Sequence, residues 1–237
     1  MGLACQRGGP STDRERLMVV LSIPKRPVII PLQTAPPAPG EKQIDNSINL
    51  ETNGYIVRTL LPRDVTDEFL GWFNKAEMLR GLNLENLNFT LESLISFVSR
   101  FDNLHNYFLG IFAGDALVGF YTIDVNRHHK IGSITTGIGD KHYLGKHVLW
   151  STIDAVIDHF YETRDIEKFT ARILARNYAM LFNFKNNPRF ELEGHLKQEC
   201  RASDGKRLDI LLFASYKYAR GGKEPHRVAP NAVVRKQ

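Results

Sequence analysis

The chain has 237 residues, of which 43% are apolar, 24% charged and 10% aromatic; this is the composition of a folded globular protein, and no apolar run comes near the ~20 residues a membrane helix needs. Its two cysteines, Cys5 and Cys200, lie far apart, which gives neither a disulfide framework nor a zinc-ligand spacing and fits a reducing, cytoplasmic compartment. The formal charge of +5 is carried by the ends, since residues 1–50 hold a net +2 and residues 219–237 a net +4, leaving −1 between them; the middle therefore lacks the basic footprint of a nucleic-acid-binding domain.

The opening Met-Gly-Leu-Ala-Cys resembles both a lipoprotein cleavage site and a myristoylation start, but no apolar stretch precedes Cys5 and position 6 is Gln, so neither modification is expected. From Ser22 to Gly40 there are six prolines, too many for a helix or a central strand. Residues 1–48 are expected to form a disordered tail in which Met18 offers a second translation start. Periodic structure starts with a strand, YIVRTL from Tyr55, and continues into an amphipathic helix that includes Phe69, Leu70 and Phe73. A second helix spans Leu91 to Phe101, with Thr90 as its N-cap. Two strands pair across Gly114-Asp115, a hairpin turn signal. A further strand, KIGSITTGIG from Lys130, leads through a loop to a helix with Leu149, Ile153, Val156, Ile157 and Phe160 on one face. Next come a strand from Lys168 to Ile173, a short helix from Asn177 to Phe184, and two strands that pair around Asp204-Gly205. Residues 49–218 form the expected domain and 219–237 a basic disordered tail.

Chemistry is expected in the strand, loop and helix from Ile134 to Phe160, because a loop running into a helix presents unpaired N–H groups and the positive end of the helix dipole, a site for phosphate. A P-loop is excluded, since Asp140 and His147 stand where its first glycine and its Ser or Thr are required. A Rossmann fingerprint from Gly137 is excluded by His142 in place of the third glycine.

His142-Tyr143-Leu144-Gly145-Lys146-His147 resembles the [QR]-x-x-G-x-[GA] pyrophosphate loop of the GNAT superfamily, with only the middle glycine intact. Further marks follow in the family's order. LETNGYIVRTLLPRDV is similar to the first-strand phrase of the branch containing the ribosomal-protein N-terminal alanine acetyltransferases. Arg176-Asn177-Tyr178-Ala179-Met180 resembles its N-x-A-S phrase, Pro188 to Gly194 its G-F-x-x-E-G, and Arg207 to Leu212 its last strand. Arg189 stands where that branch has glycine, and Phe182 and Phe184 are the nearest counterparts of a tyrosine that protonates the leaving thiolate in many relatives.

The resemblance implies an α/β (α+β) GNAT-like single domain: a mixed, mostly antiparallel sheet of six to seven strands flanked by about four helices, splayed between its fourth and fifth strands. It implies acetyl-CoA as cosubstrate, with Thr136, Gly137, Ile138, His142, Leu144, Gly145, Lys146, His147, Val148 and Asn177 as cofactor-binding residues and the Ile138 N–H as oxyanion donor. His129, beside His128 and Asp124, is the candidate base. No metal is implied. The expected reaction is direct attack of a primary amine, on a small molecule or a protein N-terminus, in a ternary complex, by a monomer or homodimer without membrane or nucleic-acid partners. The alternative is a non-catalytic GNAT-fold module that binds coenzyme A or another ligand.

Overall fold

The computed structural model describes residues 46–84 and 88–218; the segments 1–45 and 219–237, assigned above to tails, and with them Cys5 and Met18, lie outside the described residues. The first turn is one the sequence announces and the strand reading above overlooks. Asn53 and Gly54 both take positive φ, 47° and 83°, as a two-residue hairpin turn requires, and they join β1 (Asn49–Thr52) to β2 (Tyr55–Thr59). Ahead of them Ile48 is buried, and its N–H donates to Thr59 Oγ1 at 2.9 Å. The domain therefore includes Ile48, which the sequence reading leaves in the tail.

Three short helices follow: α1 (Asp67–Trp72), α2 (Ala76–Leu82) and α3 (Leu91–Val98). Thr66 and Thr90 cap α1 and α3 by accepting from Phe69 N–H and Ser93 N–H. Phe69, Trp72, Phe73, Leu94 and Val98 then bury against Phe108, Phe112 and Phe120 on one face of the sheet. The predicted hairpin is β3 (Asn106–Ala113) and β4 (Ala116–Asn126), and the next strand is β5 (Ile131–Ile138). Helix α4 (Val148–Thr163) lies on the opposite face, where Ile153, Val156, Ile157 and Phe160 pack with Tyr107, Leu109 and Ile123. The described residues end with β6 (Lys168–Leu174), α5 (Tyr178–Lys185), β7 (Glu191–Arg201) and β8 (Arg207–Tyr216).

These elements make one mixed sheet in the order β1-β2-β3-β4-β5-β6-β8-β7, in which β5 and β6 are the parallel neighbours and every other described pair is antiparallel. The sheet has eight strands and the described residues five α-helices, slightly more than the sequence reading counts; β1 and α2 are the additions.

Candidate functional site

β5 is paired with β4 over all eight residues, Asn126↔Ile131 through Gly119↔Ile138, but with β6 only from Ile131↔Lys168 to Ser133↔Thr170. Beyond that rung the two strands part, and this is the splay expected between the fourth and fifth strands counted from Tyr55. The ladder on the β4 side tells which backbone groups face the gap. Gly139 N–H donates to Val118 O at 3.1 Å, so the odd-numbered residues of β5 bond to β4, and alternation turns the N–H and C=O groups of Thr136 and Ile138 toward the opening. Their side chains lie on the face covered by α4, where Thr136 is buried and donates its hydroxyl to Phe120 O at 2.8 Å. Side chains of Ser133 and Thr135 stand half-exposed on the other face.

The gap leads to the loop before α4. Asp140 caps a 3-10 turn at Lys141–Tyr143, accepting from His142 N–H at 2.8 Å and contacting the His142 ring at 3.0 Å. The His142 N–H and ring, with Lys75 nearby, hold the Asp140 carboxyl below the usual carboxylate range. Gly145 and His147 both adopt left-handed backbone, φ +75° and +56°. His147 is the N-cap of α4 and makes no side-chain cap bond, so the first-turn N–H groups of α4, from Val148 on, have neither an intrahelical nor a side-chain acceptor. A Cβ on Gly145 would meet nothing within 4 Å, and backbone there is open to a ligand. Leu144 is exposed, and Lys146 Nζ lies 5.1 Å from the Tyr143 ring centroid.

The far end of the same loop is clamped. Gly139 lies against the buried indole of Trp72, so that a Cβ would come within 1.8 Å of the ring, and Lys75 Nζ donates to Gly139 O at 3.3 Å. Gly137 leaves room for Phe120 and the Met78 sulfur, 2.9 and 3.0 Å from where its Cβ would be. From Met78, α2 crosses the open end of the gap: Arg80 O accepts from Arg176, Gly81 O accepts from Asn177 Nδ2 at 3.2 Å, and Asn83 Nδ2 donates to Arg201 O. Sequence reasoning missed Trp72, Lys75 and Met78, since none carries a motif; Gly139, the second glycine of Gly-Ile-Gly, was the one available signal.

Thr136, Gly137, Ile138, His142, Leu144, Gly145, Lys146, His147 and Val148 thus come together along one gap and the loop above it. Asn177 borders the same gap as the N-cap of α5, with both ends of its amide engaged, Oδ1 by Met180 N–H and Nδ2 by Gly81 O. His129 does not join them. It sits in the turn before β5, while Ile138 ends that strand, and at a rise of ~3.3 Å per residue Ile131 and Ile138 alone are about 23 Å apart. Phe184 is no counterpart of a catalytic tyrosine either: it is buried, 4.6 Å from the Phe190 ring and 5.9 Å from Phe213. Phe182 and Tyr178 are exposed. Arg189, in the place of a glycine, has a structural role, its guanidinium pairing with Asp158 and lying near Asp154 on α4. Between α4 and α5 a crevice is lined by Leu149, Trp150, Ile153, Asn183 and Asn187, and the buried Trp150 Nε1 has no protein acceptor. No helix among the described residues is long and apolar enough to cross a membrane.

A sheet with one parallel junction that splays into a gap, and a loop and helix N-terminus at the mouth of that gap, is the fold of the GNAT acetyltransferases. By sequence the chain matches no protein-family model and no curated protein; by structure it is similar to solved members of that family. A structure of RimL, a ribosomal L7/L12 α-N-protein acetyltransferase, in complex with coenzyme A is 20% identical, with a TM-score of 0.63, over 70% of this chain and 98% of that one. The ribosomal-protein-S5-alanine acetyltransferase from Vibrio fischeri is 18% identical, with a TM-score of 0.63, over 71% and 96%. The spermidine N-acetyltransferase from Vibrio cholerae, in complex with coenzyme A and spermine, is 16% identical, with a TM-score of 0.61, over 69% and 95%.

Proposed function

We propose that this protein is an N-acetyltransferase that carries the acetyl group of acetyl-CoA to a primary amine by direct attack in a ternary complex. The observation that carries the reading is the open edge of β5, a row of backbone donors and acceptors that ends at an uncapped helix N-terminus. A pyrophosphate suits the N–H groups between Gly145 and the first turn of α4, with the helix dipole adding to the attraction. Lys146 and His142 stand beside it.

The pantetheine arm is about twelve bonds long and reaches roughly 14 Å when extended, about the length of a four-residue strand. Starting from a phosphate above Ile138, it pairs with Ile138 and brings the thioester to Thr136. The oxyanion donor in this reading is the Thr136 N–H, with the Ile138 N–H expected from the sequence two residues nearer the phosphate on the same open edge, and the bond it makes strengthens as the carbonyl oxygen gains charge. Asn177 lines the other wall by holding α2 and α5 together. The proteins of similar fold act on protein N-termini and on spermidine, and an amine acceptor on this chain is proposed by that likeness alone.

The reading is tested by calorimetry with coenzyme A, together with thiol release from acetyl-CoA against a panel of amines. Binding with turnover is the expected result, and kcat/KM should rise with pH through neutrality, because an alkylamine with pKa near ~10.4 reacts only when neutral. Binding without turnover on any amine would support the alternative, a module that holds coenzyme A.

A further inference from the structure

The last rung between β5 and β6 pairs two hydroxyl side chains, Ser133 and Thr170, whose oxygens are 3.2 Å apart. Register sets Asp124 of β4 directly opposite Ser133, and directly paired residues project on one face with Cβ atoms ~4.5–5.5 Å apart. A carboxylate and two hydroxyls therefore stand in a row across three strands at the point where the gap closes. Asp124, Ser133 and Thr170 are all half-buried, whereas Gly132, Ile134 and Phe169 beside them are buried. The row thus lies on the face away from α4, the face that carries α1–α3, where its half-exposed side chains remain within reach of an incoming acceptor. Thr136 N–H is three residues, about 10 Å, along the same strand, so an amine attacking a thioester held there from the side of the row reaches Ser133 through intervening water.

Resting on the acetyl-transfer reading, we propose that this row removes the proton from the attacking amine. The neutral amine attacks the thioester carbon and a C–N bond forms. The resulting ammonium gives one proton, through that water, to Ser133 Oγ while Ser133 passes its own to the Asp124 carboxylate. Collapse of the tetrahedral intermediate breaks the C–S bond, and the departing thiolate takes up the proton held by the Asp124 carboxyl, relayed through water, so that Asp124 ends ionised as it began. Ser133 is the catalytic residue of the row, and Asp124 and Thr170 act through it; Thr170 Oγ1 is also 3.4 Å from Gly132 O, which keeps it at the rung.

Thiol release from acetyl-CoA is measured for the full chain with spermidine, an aminosugar and short peptides bearing a free N-terminus, and coenzyme A affinity is measured alongside by calorimetry. With the best acceptor, Asp124→Ala should lower kcat at least ~100-fold, within the range for lost proton transfer, with affinity for coenzyme A within twofold, and added formate should recover at least tenfold. Ser133→Ala should lose at least about tenfold, and Ser133→Thr, which keeps the hydroxyl, should recover most of that loss. An unmodified protein that releases thiol with none of these amines overturns acetyl transfer and the row together. An active protein whose Asp124→Ala and Ser133→Ala variants stay within threefold, or fall only as coenzyme A affinity falls, overturns the row alone.

Discussion

The two edges of β5, a strand inside the sheet, are paired to very different extents. Toward β4 all eight residues are in register; toward β6 three are. The side chains are the same, so the difference lies in what the neighbours do, and it is at the incomplete edge that backbone polar groups remain for something other than the fold. Buried backbone groups are almost always paired, and an edge that stops pairing inside a sheet is therefore a place for ligand or water. The paired edge should respond to substitution in stability and the open edge in binding.

The largest effect is expected where the packed side meets the loop. Gly139→Ala places a Cβ about 1.8 Å from the ring of Trp72, which is fully buried, so indole or loop must move; overpacking of this severity should cost about 3 kcal/mol or more. Urea melts of the variant would show it. A loss below 1 kcal/mol would mean that Trp72 does not clamp the loop.

Gly145→Val, six residues on, should separate the two responses. Its Cβ meets nothing, and the cost to the fold is that of a β-branched residue at φ +75°, about 1–2 kcal/mol. Affinity for coenzyme A should fall at least tenfold, because the side chain stands where backbone must approach phosphate. Calorimetry on the folded variant decides; unchanged affinity would remove Gly145 from the site.

Much of the fold was legible, and the reasons for what was not differ. Gly114-Asp115 and Asp204-Gly205 marked their hairpins, and apolar spacing marked α4. Asn53-Gly54 is an equally good signal, but β1 is four residues long with half-buried or exposed side chains, too little for an alternation to register. In α2 the N-cap is Lys75, which makes no capping bond, and no residue is buried, so neither caps nor periodicity betray it. The loop could be found because it has a local pattern. The rung at which β5 leaves β6 could not, since Ser133 and Thr135 look alike in sequence and only register tells that one faces a partner strand and the other a gap. Burial likewise separates Phe184 from Phe182, two residues that one motif position could not tell apart.

On the fully paired side, charge rather than a ligand holds a joint. Arg58 of β2 donates to both oxygens of Asp64, at 2.7 and 2.8 Å, and stacks 4.0 Å from the Phe112 ring centroid. Burial works against the Asp64 charge, but the Arg58 guanidinium and the Leu61 N–H outweigh it and hold its carboxyl below the usual range. A depressed carboxyl stabilises the fold above its unfolded pKa of ~3.9, and that contribution is lost as pH falls through the lower folded value. Asp64→Asn should therefore cost about 1 kcal/mol at pH 7 and progressively less than that below pH ~4. Denaturant midpoints of both proteins at pH 7 and pH 3 test the sign; a deficit that grows in acid would contradict it.

The smallest effect is expected at His129, and its smallness is informative. The histidine lies in the turn that opens β5, and its imidazole meets that of His128 edge-on, 4.7 Å between centroids. Its bond to Asn126 Oδ1 is made by the backbone N–H, which alanine retains, so the turn should survive the substitution. From Ile131 to Thr136, where the proposed mechanism holds the thioester, the strand alone covers about 17 Å, well beyond the hydrogen-bond reach of a general base. His129→Ala should leave kcat/KM within twofold and stability within ±0.5 kcal/mol, as for an exposed side chain free of special contacts. A hundredfold loss of kcat in this variant would put the reacting carbonyl at the start of β5 rather than within its splayed half, and would shift the proposed base from the Asp124 row to the turn.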